Sequence, residues 1–158
     1  MKPLPLTKGK VALVDDEDFA AISKYKWYAE RRKHTYYAYR RDRVTRKVVR
    51  MHREILKPRK GQVIDHKNHN GLDNRRSNIR LCTYANNAQN SRRKRGVSGF
   101  RGVWPHPSGI WHVYIQCRGV ATFLGCFHDP AEGAKAYDKA AKRLHGTFAI
   151  LNFPSAHP

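Results

Sequence analysis

Acidic residues are scarce in this chain: 12 Asp and Glu stand against 32 Lys and Arg over 158 residues, a formal net charge of +20. Self-repulsion at that charge is relieved by a polyanion, and nucleic acid is the leading candidate. Apolar runs long enough to span a bilayer are lacking, and no hydrophobic export signal stands at the Met1 end. The expectation is a soluble, cytoplasmic protein with no membrane partner. Cysteine is confined to Cys82, Cys117 and Cys126, an odd number without CxxC spacing, which argues against a disulfide framework and against a zinc finger. These thiols are expected to be reduced and partly buried. Internal repeats and low-complexity tracts are also missing. At this length one domain is the default and two small ones are possible, with no room for a large enzyme scaffold.

Aromatic residues are present in quantity, with three Trp, eight Tyr and six Phe. A disordered basic tail would lack them, so the charge sits on folded surfaces. From Val11 to Val49 an acidic patch, "VDDEDF", precedes an aromatic cluster, "YKWYAERRKHTYYAYRR". Strands joined by turns fit this pattern best, with Trp27, Tyr28, Tyr37 and Tyr39 as apolar anchors. Pro58 and Gly61 mark a break before the next segment.

After Asn87, "AQNSRRKRGVSG" reads as a boundary linker and, over Arg92, Arg93, Lys94 and Arg95, as an arm that contacts phosphates. The runs "FRGVWP", "GIWHVYIQC" and "ATFLGCF" then alternate with turns at Pro107-Ser108-Gly109 and Arg118-Gly119, predicting a three-stranded antiparallel meander. The period changes in "DPAEGAKAYDKAAKRLHG". Asp129 suits the N-cap, Pro130 the first helical position, Glu132 an approximate capping box and Gly146 the C-terminal stop. The expected buried stripe is Ala134, Tyr137, Ala141 and Leu144. Alternation directs Trp111, Val113 and Ile115 toward this helix and His112, Tyr114 and Gln116 outward.

The stretch "VIDHKNHNGLDNRRSNIRLCTYANN", Val63 to Asn87, sets an acid and a histidine side by side in a basic chain. Phosphodiester cleavage needs an activated water, a cation to neutralise the phosphate and groups that hold the geometry. His66 can take a proton from water near neutral pH. Asp65 offers a hard carboxylate oxygen, and the Asn87 amide oxygen can complete the protein side of a magnesium or manganese site. Asn78, between them, can bond loop backbone and keep the His66 strand in register. "NGLDN" reads as a turn, "NIRLC" as a short strand, and Thr83 as the N-cap of a helix carrying Asn87 and Asn90.

"DHKNHNGLDNRRSNIRLCTYANNAQN" resembles the HNH endonuclease motif, in the phage and intron homing variant whose last histidine is replaced by asparagine. The resemblance extends through Leu72-Asp73-Asn74 and Asn78-Ile79-Arg80-Leu81. It implies the ββα-metal fold, with Asp65 a metal-binding acid, His66 the general base, Asn78 the loop brace and Asn87 the second metal ligand. His69 and Asn90 are accessory candidates. The upstream "MHREIL" also resembles the segment leading into this motif, so His52 is either an accessory at the site or a core histidine.

Ser98 to Pro154 resembles the APETALA-two/ethylene-response-factor (ERF-type) DNA-binding domain, through "RGV", "FLGCF", "GAKAYDKAA" and "AILNFP". That family lays its sheet in the major groove with the helix behind it. Matching positions nominate Arg101, Trp104, His106, Tyr114, Gln116 and Phe123 as DNA-binding, and the outward His112 joins them. Arg101 would pair with guanine and Gln116 with adenine. Several plant-type arginines are absent, so the GC-rich target of the plant factors does not transfer.

The expected fold is α+β. A β-rich segment at 1–50 precedes the HNH module at 51–91, followed by a basic linker at 92–97 and the ERF-type domain at 98–154. The expected function is a metal-dependent HNH endonuclease of the homing type, phage- or mobile-element-encoded, which nicks double-stranded DNA at sites chosen by the C-terminal domain. The cofactor would be Mg or Mn and no zinc is expected; a monomer is the default, with a dimer left open. The alternative is a DNA-binding transcription regulator with a vestigial nuclease module.

Overall fold

The computed structural model describes residues 1–89 and 96–154. The chain divides into two compact units, Met1–Tyr84 and Ala85–Pro158. Asn90, Arg92, Arg93, Lys94 and Arg95 lie outside the described residues.

In the first unit, β1 (Lys2–Pro5) and β2 (Val11–Val14) form an antiparallel hairpin. Helix α1 (Asp16–Ile22) follows, then an antiparallel sheet of β3 (Tyr28–Arg32), β4 (Thr35–Arg41) and β5 (Val48–Arg50). Helix α2 (Met51–Leu56) leads to a second hairpin, β6 (Val63–His66) with β7 (Ile79–Cys82). Leu4, Ala12, Val14, Ile22, Trp27, Ala38, Met51, Ile55, Leu72 and Ile79 build one core from all of these pieces. Most strands here are short, and packing of their buried residues with those of two small helices in one core supports them.

The acidic patch was expected among strands and instead forms α1. Asp16, Glu17 and Asp18 occupy its first turn, where exposed amides and the helix dipole favour carboxylates. The patch also anchors the later loop: the Arg76 guanidinium donates twice to Asp18, at 2.8 Å each, and the Arg76 backbone amide donates to Asp15 at 2.7 Å. Of the aromatic anchors, Trp27 and Tyr39 are buried, while Tyr28 and Tyr37 are half-buried.

The second unit contains helix α3 (Tyr84–Gln89, shared with the boundary), the meander β8 (Val103–Pro105), β9 (Trp111–Cys117) and β10 (Val120–Phe127), and helix α4 (Pro130–His145). The sheet order is β10-β9-β8, all antiparallel. Val103, Val113 and Ile115 pack against Ala134, Tyr137, Ala140 and Ala141 of α4. Gly102 adopts φ +76°, and a Cβ there would run into the Tyr137 ring, so glycine is what allows the β8 entry to pass close to the helix.

Asp129 caps α4 by accepting from the Ala131 amide at 2.8 Å, Pro130 opens the helix and Gly146 ends it. Glu132 does not fold back into a capping box; it pairs with Lys135 at 2.7 Å. Leu144 is 38% exposed, and the stripe continues through Ala140 rather than Leu144. At 100° per residue Leu144 falls within the arc of Ala140 and Tyr137, so its exposure reflects its place in the last turn of α4 and not its face. Of the thiols, Cys82 is buried, Cys117 intermediate and Cys126 exposed, and none of the three is in a disulfide. Asp138 accepts from the Asn152 and Phe153 amides at 2.7 and 2.8 Å, tying the C-terminal "LNFP" run to α4.

Candidate functional site

The loop between β6 and β7 is held by its own side chains. Asn78 Oδ1 accepts from the Asn68 amide at 3.1 Å, and Asn78 Nδ2 donates to the Asp73 carbonyl at 2.7 Å. Asp73 is almost fully buried and takes both arms of Arg75 at 2.7 Å, plus Asn68 Nδ2 at 2.8 Å. These donors hold its carboxyl below the ordinary value, the Arg75 hydrogen bonds most of all. Hydrogen bonds from the Asn70 and Leu72 amides to Asn68 Oδ1 and Asn70 Oδ1, at 2.9 and 3.1 Å, close the turn. A parallel bridge joins Leu13 to Asp73, so β2 supports the loop from beneath.

At the end of β6, His66 is buried, and its Nε2 lies 3.5 Å from Asn74 Oδ1. Burial is the main cause of its lowered pKa, opposed by Asn74 and by the charges of Asp65 and Asp73. A neutral imidazole at neutral pH follows. With the Nε2 proton directed at Asn74, Nδ1 is the acceptor nitrogen.

Three rings meet edge to face here. His52 lies 5.1 Å from His66 between centroids, and Tyr37 lies 5.6 Å from His66 and 5.7 Å from His52. His52 is therefore a neighbour of His66 as well as a core residue. Its pKa is pushed down to about 3, by burial first and by His66 second. His52 Nδ1 is buried without a hydrogen-bond partner among the described residues. Burial also raises the Tyr37 phenol. Gly71 makes room for this packing: a Cβ there would sit 2.5 Å from the Tyr36 carbonyl oxygen and 2.5 Å from Tyr37 Cε1. The Gly71 amide donates to Thr35 Oγ1 at 3.1 Å, fastening β4 to the loop.

Asp65 is buried, and its Oδ2 accepts from Arg80 Nε and Nη2 at 2.9 and 2.7 Å across the β6–β7 pair. His69 adopts φ +61°, and its amide donates to the His66 carbonyl at 2.9 Å. Asn87 is on α3 with an exposed side chain, in the second unit, whereas Asp65 and His66 belong to the first. Among the described residues, no three His, Cys, Asp or Glu side chains are grouped to hold a metal ion. The donors near His66 are the carboxylates of Asp65 and Asp73, amide oxygens and imidazole nitrogens. That set fits a hard cation that keeps most of its water shell, provided it displaces or shares the Arg80 hydrogen bonds.

Sequence reasoning assigned no role to Arg80, Asn74 or Asp73, and treated Tyr37 only as an apolar anchor. Asp73 and Asn74 lie within the motif and were legible as part of it. Tyr37 carried no local signal, because 29 positions separate it from His66 along the chain.

In the second unit, Trp104, Tyr114, Gln116 and Phe123 are exposed on the sheet face away from α4, with His112 half-buried among them. His106 stacks on His112 at 4.2 Å and Tyr114 meets Phe123 at 5.1 Å. The Arg101 amide donates to Asn152 Oδ1 at 2.7 Å, which holds the start of the meander in place.

Comparison with known proteins adds two findings. Residues 57–89 match the HNH endonuclease family. The chain is also similar to plant proteins: 44% identical over 59 residues to an AP2/ERF and B3 domain-containing protein of Oryza sativa subsp. japonica. That match covers 37% of this chain and 16% of the relative. A transcription repressor of the same domain composition from Arabidopsis thaliana is 36% identical over 70 residues, covering 44% of this chain and 19% of the repressor. Dehydration-responsive element-binding protein 2A of Arabidopsis thaliana is 46% identical over 57 residues, covering 35% and 17%. The chain thus spans less than a quarter of the length of each of these relatives. Among the described residues, no helix is long and apolar enough to cross a membrane.

Proposed function

For a chain that joins a segment of the HNH endonuclease family to one similar to AP2/ERF domains, we propose a metal-dependent DNA endonuclease of the homing type. It would hydrolyse one strand of duplex DNA at sites selected by the second unit. The observation that carries this reading is the buried His66: neutral at working pH, next to Asp65 at the end of β6, where the chain enters a loop braced by Asn78.

In that reaction His66 Nδ1 takes a proton as a water oxygen bonds to phosphorus and the P–O bond to the sugar breaks. Asn74 holds the ring in the tautomer whose Nδ1 is the acceptor nitrogen. Tyr37 and His52 fix its plane and keep bulk water from its edges. Asp65 would hold a hydrated magnesium or manganese ion, which would supply positive charge against that growing on the phosphate. Joined to the cutting unit through a basic linker, the second unit raises the local concentration of its target.

One specific observation favours a second reading. Asp65 is already paired with Arg80, and two of the named relatives are a transcription repressor and an element-binding protein, so a regulator with a vestigial nuclease unit is the alternative. Supercoiled-plasmid cleavage with magnesium, with manganese and with chelator, run on the natural sequence and on His66→Ala, separates the two. Metal-dependent nicking lost in the variant supports the endonuclease. A sequence-dependent gel shift with no cleavage under any condition supports the regulator.

A further inference from the structure

The three strands of the second unit, Val103–Pro105, Trp111–Cys117 and Val120–Phe127, contain no Lys, Arg, Asp or Glu. This is unusual in a chain where charged residues are 28% of the total. The cations of the described part of this unit sit elsewhere, with Arg101 and Arg118 in turns and Lys135, Lys139, Lys142 and Arg143 on α4. The outward face is instead aromatic. Trp104 is 54% exposed, Phe123 49% and Tyr114 40%. The strand register aligns Trp104 with His112 and Tyr114 with Phe123, so these side chains share one face.

The rings hold one another. His112 meets Phe123 at 5.5 Å and Tyr114 at 6.3 Å, besides its stack on His106. Little side-chain entropy is left to lose on binding. An exposed apolar patch on a strongly basic protein calls for an explanation, and fold stability does not supply one, because the core lies on the opposite face.

Resting on the reading that this unit selects the DNA site, we propose that the face recognises thymine-rich duplex DNA. Trp104, Tyr114 and Phe123 would touch thymine methyl groups in the major groove, with Gln116 on an adenine. A face without cations has nothing to offer phosphates, and so it meets base edges, with the turn arginines flanking it. Among base edges in the major groove, only thymine presents a methyl group, the chemical match for an aromatic surface. Guanine, with two acceptors, is best met by arginine or lysine, and no strand carries either. Single-stranded nucleic acid is a poorer occupant, because such sites combine stacking rings with a cationic groove along the backbone.

The test is selection of the full chain on a random duplex pool in chelator, which excludes cleavage. The recovered sites are then measured by anisotropy against copies with thymine replaced by deoxyuridine. The expected result is A·T-rich sites, with binding weakened about fourfold for each recognised methyl removed. Tyr114→Ala with Phe123→Ala, both at exposed positions, should remove the deoxyuridine effect except at the methyl met by Trp104, while leaving the melting temperature unchanged. G·C-rich sites, equal binding to the deoxyuridine copies, tighter binding to the separated strands, or no enrichment at all would overturn the proposal. Plasmid nicking is scored separately. A chain that selects A·T sites without nicking keeps this inference and loses the nuclease, and a chain that nicks without selecting does the reverse.

Discussion

Polar atoms fill the first unit around His66, with Asp65, Asp73, Asn74, Asn78 and His52 all buried there, whereas in the second unit the strands carry no charged side chain and the core is apolar. The cations divide unevenly too, since residues 1–84 contain 22 Lys and Arg against 9 Asp and Glu, and residues 96–154 contain 6 against 3. A buried polar site holds together only if each member satisfies another, so few of its residues can change singly. An apolar core on one face of a sheet and an exposed aromatic surface on the other separate stability from surface chemistry. On the proposed function, substitutions on the exposed face of the second unit would change recognition without unfolding it, whereas those at the buried site of the first would change activity and stability together.

The contrast is broken most sharply at His66. His66→Ala should lower the nicking rate at least about 100-fold with DNA affinity nearly unchanged, since a general base acts on the transition state. Single-turnover cleavage beside a gel shift measures both, and an active variant would end the assignment of the base.

Next in size is the acid sensitivity of the first unit. His52 has a folded pKa of about 3 against an ordinary 6.5, so the unfolded chain binds more protons between those values. Its contribution is fully present above about pH 6.5 and is lost as pH falls toward 3, by an amount on the order of a few kcal/mol. Urea unfolding of the natural sequence and of His52→Leu across this window should show a slope in the former that is shallower in the latter. Equal slopes would mean that the imidazole is hydrated in solution.

Two glycines compare the units directly. Gly71→Ala forces a methyl onto Tyr36 and Tyr37, and Gly102→Ala forces one onto Tyr137 at a positive φ. Each should cost roughly 1–3 kcal/mol. Gly71→Ala should also impair cleavage because it shifts the ring that packs on His66, while Gly102→Ala should impair site selection. Calorimetry with both assays decides, and loss of cleavage in the Gly102 variant alone would reverse the division of labour.

The smallest expected effect is in the basic run at 92–95. Neutralising Arg92, Arg93, Lys94 and Arg95 together should reduce the slope of log affinity against log salt by up to roughly 0.9 for each phosphate no longer neutralised. An unchanged slope would make the segment a spacer.

Helix α4 was legible almost residue by residue, because Asp129, Pro130 and Gly146 act within one turn of the helix ends. The meander was legible for the same reason, as its turns are local. Helix α1 was not: an acidic run has no apolar period, and its stabilisation comes from the dipole and from Arg76, 58 positions after Asp18. The Asp65-His66 pair could be read from the motif, yet its surroundings could not. Arg80 reaches Asp65 only through the β6–β7 register, and His52 and Tyr37 reach His66 only because α2 and β4 converge on it.

Local chemistry in the sequence by itself determined the charge, the caps, the alternation of β9 and the residue types suited to hydrolysis. Each depends on neighbours within a few positions. Tertiary structure alone decided that His66 is buried and neutral, that Asp65 is held by Arg80, and that four aromatic strand positions share one uncharged face. Those properties depend on desolvation and on cross-strand register, which are set by residues distant in the chain and close only once it has folded.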